Sequence, residues 1–186
     1  MIGYAFCGSF CTLAKSMEQL AVLTARGLEV QPIMSEHVYT MDTRFGKAAD
    51  SAAEAERLTG RQVIHTIADA EPLGPKLPLE ALIIAPCTGN TLAKIACGIT
   101  DTAVTMAAKA HLRCDRPPVI ALASNDSLSQ NLRNIATLLV RKRVYLVPLK
   151  QDDPTSKPHS LVADFSRIPD ALAAALDERQ LRPLFE

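Results

Sequence analysis

Ala81-Leu82-Ile83-Ile84-Ala85-Pro86-Cys87-Thr88-Gly89-Asn90-Thr91 decides how this chain folds. The apolar run at 81–85 is too short for a globular helix and stops at a proline. Small polar residues follow, and then the helical pattern Leu92-Ala93-Lys94-Ile95-Ala96. A short apolar run bounded by turn residues reads as a strand buried on both faces, here opening through a loop into a helix N-terminus. In an open α/β sheet, ligands bind in the crevice outside the carboxyl ends of the strands. That puts Thr88, Gly89, Asn90 and Thr91 in the crevice, with hydroxyls, an amide and free backbone N–H groups suited to a polar cofactor.

Outward from this stretch the same unit recurs. Residues 2–7 form an apolar strand, followed by Gly8-Ser9-Phe10 and by a helix capped by Thr12 that ends near Arg26 and Gly27. Residues 28–34 are the next strand and 35–46 a polar loop. A helix at 47–58 is stopped by Gly60, with a short strand at 62–65 and a helical turn at 67–71. The proline-rich 71–78 is a loop. After the strand at 79–85 come helices at 91–97 and 101–111, broken at Gly98. A strand at 118–123, a helix at 127–140, the last sheet strand at 144–148, a polar loop at 151–158 and a closing helix at 169–181 complete the chain. Strands alternating with helices predict a three-layer α/β/α architecture, Rossmann-like or flavodoxin-like, with a parallel sheet covered on both faces. No repeat or linker divides it, so residues 1–186 read as a single domain.

The bulk numbers narrow the function. Of 186 residues, 48% are hydrophobic and 22% charged, as in ordinary soluble proteins. Lys plus Arg and Asp plus Glu are 20 each, so no global field draws the chain to nucleic acid or an anionic membrane. Aromatic residues at 4% argue against a base-stacking surface. No apolar run approaches the length of a membrane span, and no basic n-region or cleavage site marks a signal peptide. Cys7, Cys11, Cys87, Cys97 and Cys114 form no even framework, which fits a reduced, cytoplasmic setting. Cys7 and Cys11 lack the further ligands of a zinc site, so no metal is expected.

Gly8-Ser9, Ser35, Thr88 to Thr91, and Ser124-Asn125 all fall at strand ends, which share one edge if the sheet is parallel. Ser9 and the amides after it suit a phosphate at a helix N-terminus, and Gly8 admits close backbone approach. Each such residue alone is equally an ordinary helix cap or turn former. Together they point to one cradle. The first turn lacks G-x-G-x-x-G, so the cofactor is not a dinucleotide bound in the usual way.

These residues resemble the flavoprotein family of flavin-containing cysteine decarboxylases and phosphopantothenoylcysteine decarboxylases. Ala85-Pro86-Cys87-Thr88-Gly89-Asn90-Thr91 is similar to that family's Pro-Ala-Ser-Ala-Asn-Thr flavin motif. Gly8-Ser9-Phe10 is similar to its first FMN-phosphate loop, Ser35 matches the hydroxyl after the second strand, and Ala123-Ser124-Asn125 falls where the family carries Pro-Ala-Met-Asn. A closer resemblance is to the branch of dipicolinate synthase B subunits. It is carried by Asp42-Thr43-Arg44-Phe45-Gly46, by Glu71-Pro72-Leu73-Gly74-Pro75-Lys76-Leu77-Pro78, by residues 102–109 and by Gln151-Asp152-Asp153-Pro154.

The resemblance implies FMN at Gly8, Ser9, Phe10, Ser35, Thr88, Gly89, Asn90, Thr91, Ser124 and Asn125. It implies a second chain as partner, the A subunit of dipicolinate synthase, with room for NAD(P) on that partner, and a trimer-based homo-oligomer. The implied reaction is oxidation of dihydrodipicolinate to dipicolinate in the mother cell of a sporulating bacterium. A dicarboxylate substrate calls for cationic clamps, for which Arg44 is the first candidate and Lys76 a weaker one. His37 is a candidate base near neutral pH. A surface arginine and an idle loop histidine are the plain alternatives, so the catalytic residues stay unassigned. The decarboxylases carry a histidine where this chain has Glu71-Pro72-Leu73, which weighs against their reaction. A non-catalytic assembly role is the remaining reading.

Overall fold

In the computed structural model, which describes residues 1–74 and 76–186, the apolar runs become strands because each buries both faces. Pro75, in the expected loop at 71–78, lies outside the described residues. Strand β1 (Ile2–Phe6) leads into helix α1 (Phe10–Ala25), and β2 (Val30–Met34) into the short α2 (Glu36–Thr40). Helices α3 (Ala48–Thr59) and α4 (Ile67–Ala70) precede β3 (Leu82–Cys87), which opens into α5 (Gly89–Cys97). Then come α6 (Ala103–Arg113), β4 (Pro118–Ser124), α7 (Leu132–Leu139) and β5 (Tyr145–Leu146). The chain finishes with β6 (Leu149–Lys150), β7 (Leu161–Ala163), a 3₁₀ turn at Phe165–Arg167 and α8 (Ile168–Leu176).

The parallel strands run in the order β2-β1-β3-β4, with β5 beside β4. Helices α1, α3 and α8 pack together on one face, and α4 to α7 on the other. The architecture is the expected α/β class. The sheet also departs from it: Ala123 and Ser124 of β4 pair antiparallel with β7, which pairs antiparallel with β6. The strand at 144–148 is therefore not the last. The 151–158 loop is the connection of a hairpin whose strands are too short to leave a periodic signal.

Other boundaries moved for local reasons. Ser9, not Thr12, is the N-cap of α1; Thr12 sits inside the helix and its hydroxyl bonds back to Ser9 O and Oγ. Residues 36–40 of the expected polar loop coil into α2. The strand expected at 62–65 is a single bridge, with Ile64 N donating to Pro32 O and Met34 N to Ile64 O. Helix α7 starts at Leu132 because residues 125–131 are held in turns. Helix α8 stops at Leu176 rather than running to 181. At the other end of the sheet, Leu149 N donates to Leu184 O and Glu186 N to Leu149 O, so the C-terminal residues lie along β6.

Two buried polar side chains tie layers together. The Tyr4 hydroxyl donates to Ser16 O over 2.9 Å, and the Ser16 hydroxyl donates to Ala85 O over 2.5 Å, joining α1 to β3 just before Pro86. On the opposite face His111 of α6 is fully buried, its Nε2 at 3.1 Å from Pro117 O. Burial pushes its pKa from 6.5 down to about 4, against the pull of the Pro117 carbonyl. The folded state therefore holds a neutral imidazole. Its contribution is complete above pH 6.5 and is lost as pH falls toward about 4. Urea unfolding across that window is expected to show a stability loss of roughly 3 kcal/mol that a His111→Gln variant lacks.

Candidate functional site

The sheet order sets the site. From β1 the chain crosses to β2 on one side, and then to β3 on the other. The loops after β1 and β3 leave in opposite directions at this switch point and open a crevice between them. The backbone keeps them in step, with Cys7 N donating to Pro86 O over 3.0 Å and Ser35 N to Phe6 O over 3.0 Å. Because β2, β1, β3 and β4 are parallel, Gly8-Ser9, Ser35, Thr88 to Thr91 and Ser124-Asn125 meet on one edge, as their positions in sequence predict.

Their side chains are not equivalent. Thr88 caps α5: its hydroxyl accepts from Thr91 N at 3.1 Å and donates to Thr91 Oγ1 at 3.0 Å. The Ser124 hydroxyl donates to Asp126 Oδ1 over 2.5 Å. Those two are engaged within the chain. Ser35 Oγ is buried with no hydrogen-bond partner among the described residues, a costly state for a hydroxyl unless a ligand supplies one. The amides of Phe10 and Cys11, which open α1, likewise find no acceptor among the described residues. Asn90 and Asn125 are exposed, with side-chain amides unpaired among the described residues. An orphaned hydroxyl, open helix amides and two free carboxamides fit a cofactor bearing both a phosphate and a polar ring.

His37 lies beside the first loop, its Cβ 3.8 Å from where a side chain on Gly8 would begin. Arg44 is not in the cleft. It sits on an exposed turn closed by mutual bonds of Thr43 and Gly46, with its guanidinium 4.8 Å from the centre of the Phe45 ring. Phe45 and Phe10 border a groove of about 550 Å³ between α1 and α3, so this turn flanks the cleft rather than lining it. Lys76 is exposed in its loop. Asp152 and Asp153 organise a turn: Lys157 Nζ pairs with Asp152 at 2.9 Å, and Asp153 Oδ1 accepts from Ser156 N. No cluster of three or more metal-ligating side chains occurs among the described residues.

Sequence reasoning missed Asp126 and Asn131. The Asn131 amide donates to both oxygens of Asp126 at 2.9 Å, directly behind Gly89. The one signal in sequence was an aspartate two residues beyond a strand-end serine, the spacing of a side-chain turn.

With this geometry in place, the chain can be compared with known proteins. The flavoprotein family model matches residues 1–170. The chain belongs to the flavoprotein family. It is similar to the B subunit of dipicolinate synthase from Bacillus subtilis (strain 168), 42% identical over 183 residues, 98% of this chain and 92% of that one. Among solved structures it is similar to the B subunit of dipicolinate synthase from Bacillus halodurans C, with a TM-score of 0.91 and 37% identity over 100% of this chain and 95% of that one. It is also similar to the FMN-dependent cysteine decarboxylase SpaF, with a TM-score of 0.71 and 23% identity over 95% of each chain, a likeness of fold. The resemblance read from the strand-end loops holds.

Beneath the cleft lie two thiols, Cys7 and Cys87, both buried. Burial pushes Cys7 up to about 11, partly offset by bonds with Thr91 and Thr88. Burial, and then the neighbouring Cys7, hold Cys87 well above its usual range. Both stay protonated at neutral pH and are poor nucleophiles. The contribution of Cys7 to stability is complete below the ordinary thiol value of 9.0 and is lost as pH rises through about 11, and that of Cys87 is likewise lost on the alkaline side of 9.0. Thiol labelling at pH 8 is expected to modify exposed Cys11 and Cys97 within the native state, and Cys7 and Cys87 only on unfolding.

Proposed function

We propose that this chain is the cofactor-holding component of a dipicolinate synthase, working with the enzyme's A subunit to oxidise dihydrodipicolinate to dipicolinate. The observation that carries the reading is the meeting of four polar strand-end loops at the β1/β3 switch point, in a chain 42% identical to a dipicolinate synthase B subunit over 98% of its length. FMN is the proposed cofactor. The opening amides of α1, Ser9 and Ser35 would hold its phosphate. Thr88, Gly89, Asn90, Thr91, Ser124 and Asn125 would line its ring, with Gly8 and Phe10 at the entrance. Bound there, FMN supplies a two-electron acceptor.

The rest falls to the chain's own residues. Oxidation of the dihydropyridine ring gains aromaticity, so the protein's task is to orient the ring and take up a proton. His37, next to Gly8, is the base this reading assigns, and Arg44, on the exposed turn outside the cleft, is the candidate to meet a substrate carboxylate at the rim. In this proposal residues 1–186 act as one domain in a trimer-based homo-oligomer, in the mother-cell cytoplasm of a sporulating bacterium, and NAD(P) sits on the partner. A second reading, an assembly role with the chemistry on the partner, is favoured by the internal engagement of the Thr88 and Ser124 hydroxyls.

The test is reconstitution with the partner chain. The proposal expects yellow protein that takes up FMN, bleaching on addition of dihydrodipicolinate, and a rate about tenfold lower for Asn90→Ala, the loss of one transition-state hydrogen bond. Protein that takes up no FMN overturns the flavin part. An Asn90→Ala pair with undiminished rate leaves only the assembly role.

A further inference from the structure

We propose that Asp126 is a positioning residue of the strand-end cleft, locking the loop after β4 onto the loop after β3 so that Asn90 and Asn125 are held as one rigid pair. Both oxygens of its carboxylate are engaged inside the chain. Oδ1 accepts from the Ser124 hydroxyl at 2.5 Å, and Asn131 Nδ2 lies 2.9 Å from Oδ1 and from Oδ2. The network continues outward: Asn134 Nδ2 donates to Asn131 Oδ1 over 2.8 Å, and the Ser127 hydroxyl to Ser124 O over 3.1 Å. Asn131 is only 6% exposed and Ser124 and Asp126 are half-buried, so the network is anchored on an interior amide.

Gly89 joins the two loops. A Cβ at position 89 would come within 2.5 Å of Asn131 Nδ2 and 2.9 Å of Asp126 Oδ1, closer than real Cβ atoms approach. The Ser124 hydroxyl would be nearer still, so the bare backbone at 89 is seated directly on the Ser124–Asp126–Asn131 cluster. Asn90 is the next residue on one loop, and Asn125 lies between Ser124 and Asp126 on the other. Whatever fixes Asp126 therefore bears on the backbone that carries both carboxamides. Donation by Ser124, and then by Asn131, keeps the carboxyl below its ordinary range, so it remains an acceptor at neutral pH. An acceptor-only group is what the site requires. An amide at 126 would set its N–H groups against the Asn131 amide whichever way it turned, donor against donor, because Asn131 Nδ2 lies 2.9 Å from both oxygen positions. Both oxygens are engaged within the chain, so Asp126 acts through the loops as a positioning residue. Its consequence for cofactor binding rests on the flavin reading above; the lock itself does not.

The experiment compares full-length wild type, Asp126→Asn, Asp126→Ala and Gly89→Ala by amide hydrogen exchange and by FMN titration. The lock predicts exchange at 88–91 and at 124–131 rising together by about tenfold or more in each variant, with β1 and β2 unchanged. It also predicts an FMN Kd about tenfold weaker, and partial rescue by Asp126→Glu. The Gly89→Ala/Asp126→Ala double variant should lose less than the sum of the two, because both break one contact. Loosening confined to 124–131, or loosening of both loops with unchanged FMN affinity, overturns the proposal. If Asp126→Ala does not fold, the near-isosteric Asp126→Asn decides it. If wild type takes up no FMN, the functional reading fails, while joint loosening still supports the lock and its absence overturns it.

Discussion

Everything at the candidate site follows from one topological constraint: the chain turns back on itself at β1. Strands β2 and β3 flank β1 on opposite sides, so the crossovers after β1 and β3 must cover opposite faces of the sheet. The peptides that leave the two strand ends diverge, and the gap between them cannot be filled by the chain's own backbone. Burial makes this arrangement rigid. Tyr4, Phe6, Ile83 and Ile84 are fully buried, and at roughly 25 cal/mol per Å² of apolar surface the central strands resist any slip of register.

The polar residues at that edge divide the work. Thr88 and Ser124 hydrogen-bond within the chain and shape the loops; Ser35, Asn90, Asn125 and the first amides of α1 retain unused hydrogen-bonding capacity. A cleft with a satisfied scaffold and unsatisfied contact atoms is preorganised: its donors need little reorganisation when a ligand arrives. The buried thiols below add to this by presenting a neutral floor, so that charge at the cleft comes from its rim.

Much of this was legible in sequence because it depends on local patterns. Apolar runs of strand length, ended by small polar residues, marked out the parallel core and the four loops that meet at its edge. What was not legible depended on contacts distant in sequence. Two- and three-residue strands such as Leu149–Lys150 and Leu161–Ala163 have no period to detect; they exist because the end of β4 offers them an edge. The coil at Glu36–Thr40 hides in a polar segment whose one buried residue is Val38. Asp126 was passed over because its importance lies in packing against Gly89, a contact no spacing rule foretells. Arg44 was correctly read as a loop residue, yet the sequence could not show that its turn stands beside the cleft.

The small pairings at the margins of the sheet also shape how the molecule can meet others. An open sheet presents unpaired N–H and C=O groups at its outer strands, a template for strand addition and for aggregation. Here one outer strand, β2, is closed by Ile64 and by the Gln31 side chain reaching Gln62 O, and carries a proline besides. The other, β6, is closed by residues 184–186. Among the described residues these contacts cover part of the β2 and β6 margins, leaving less ladder there for a neighbouring molecule to extend. Any contact made instead through helix faces and loops is governed by side-chain identity and can be tuned residue by residue without disturbing the sheet.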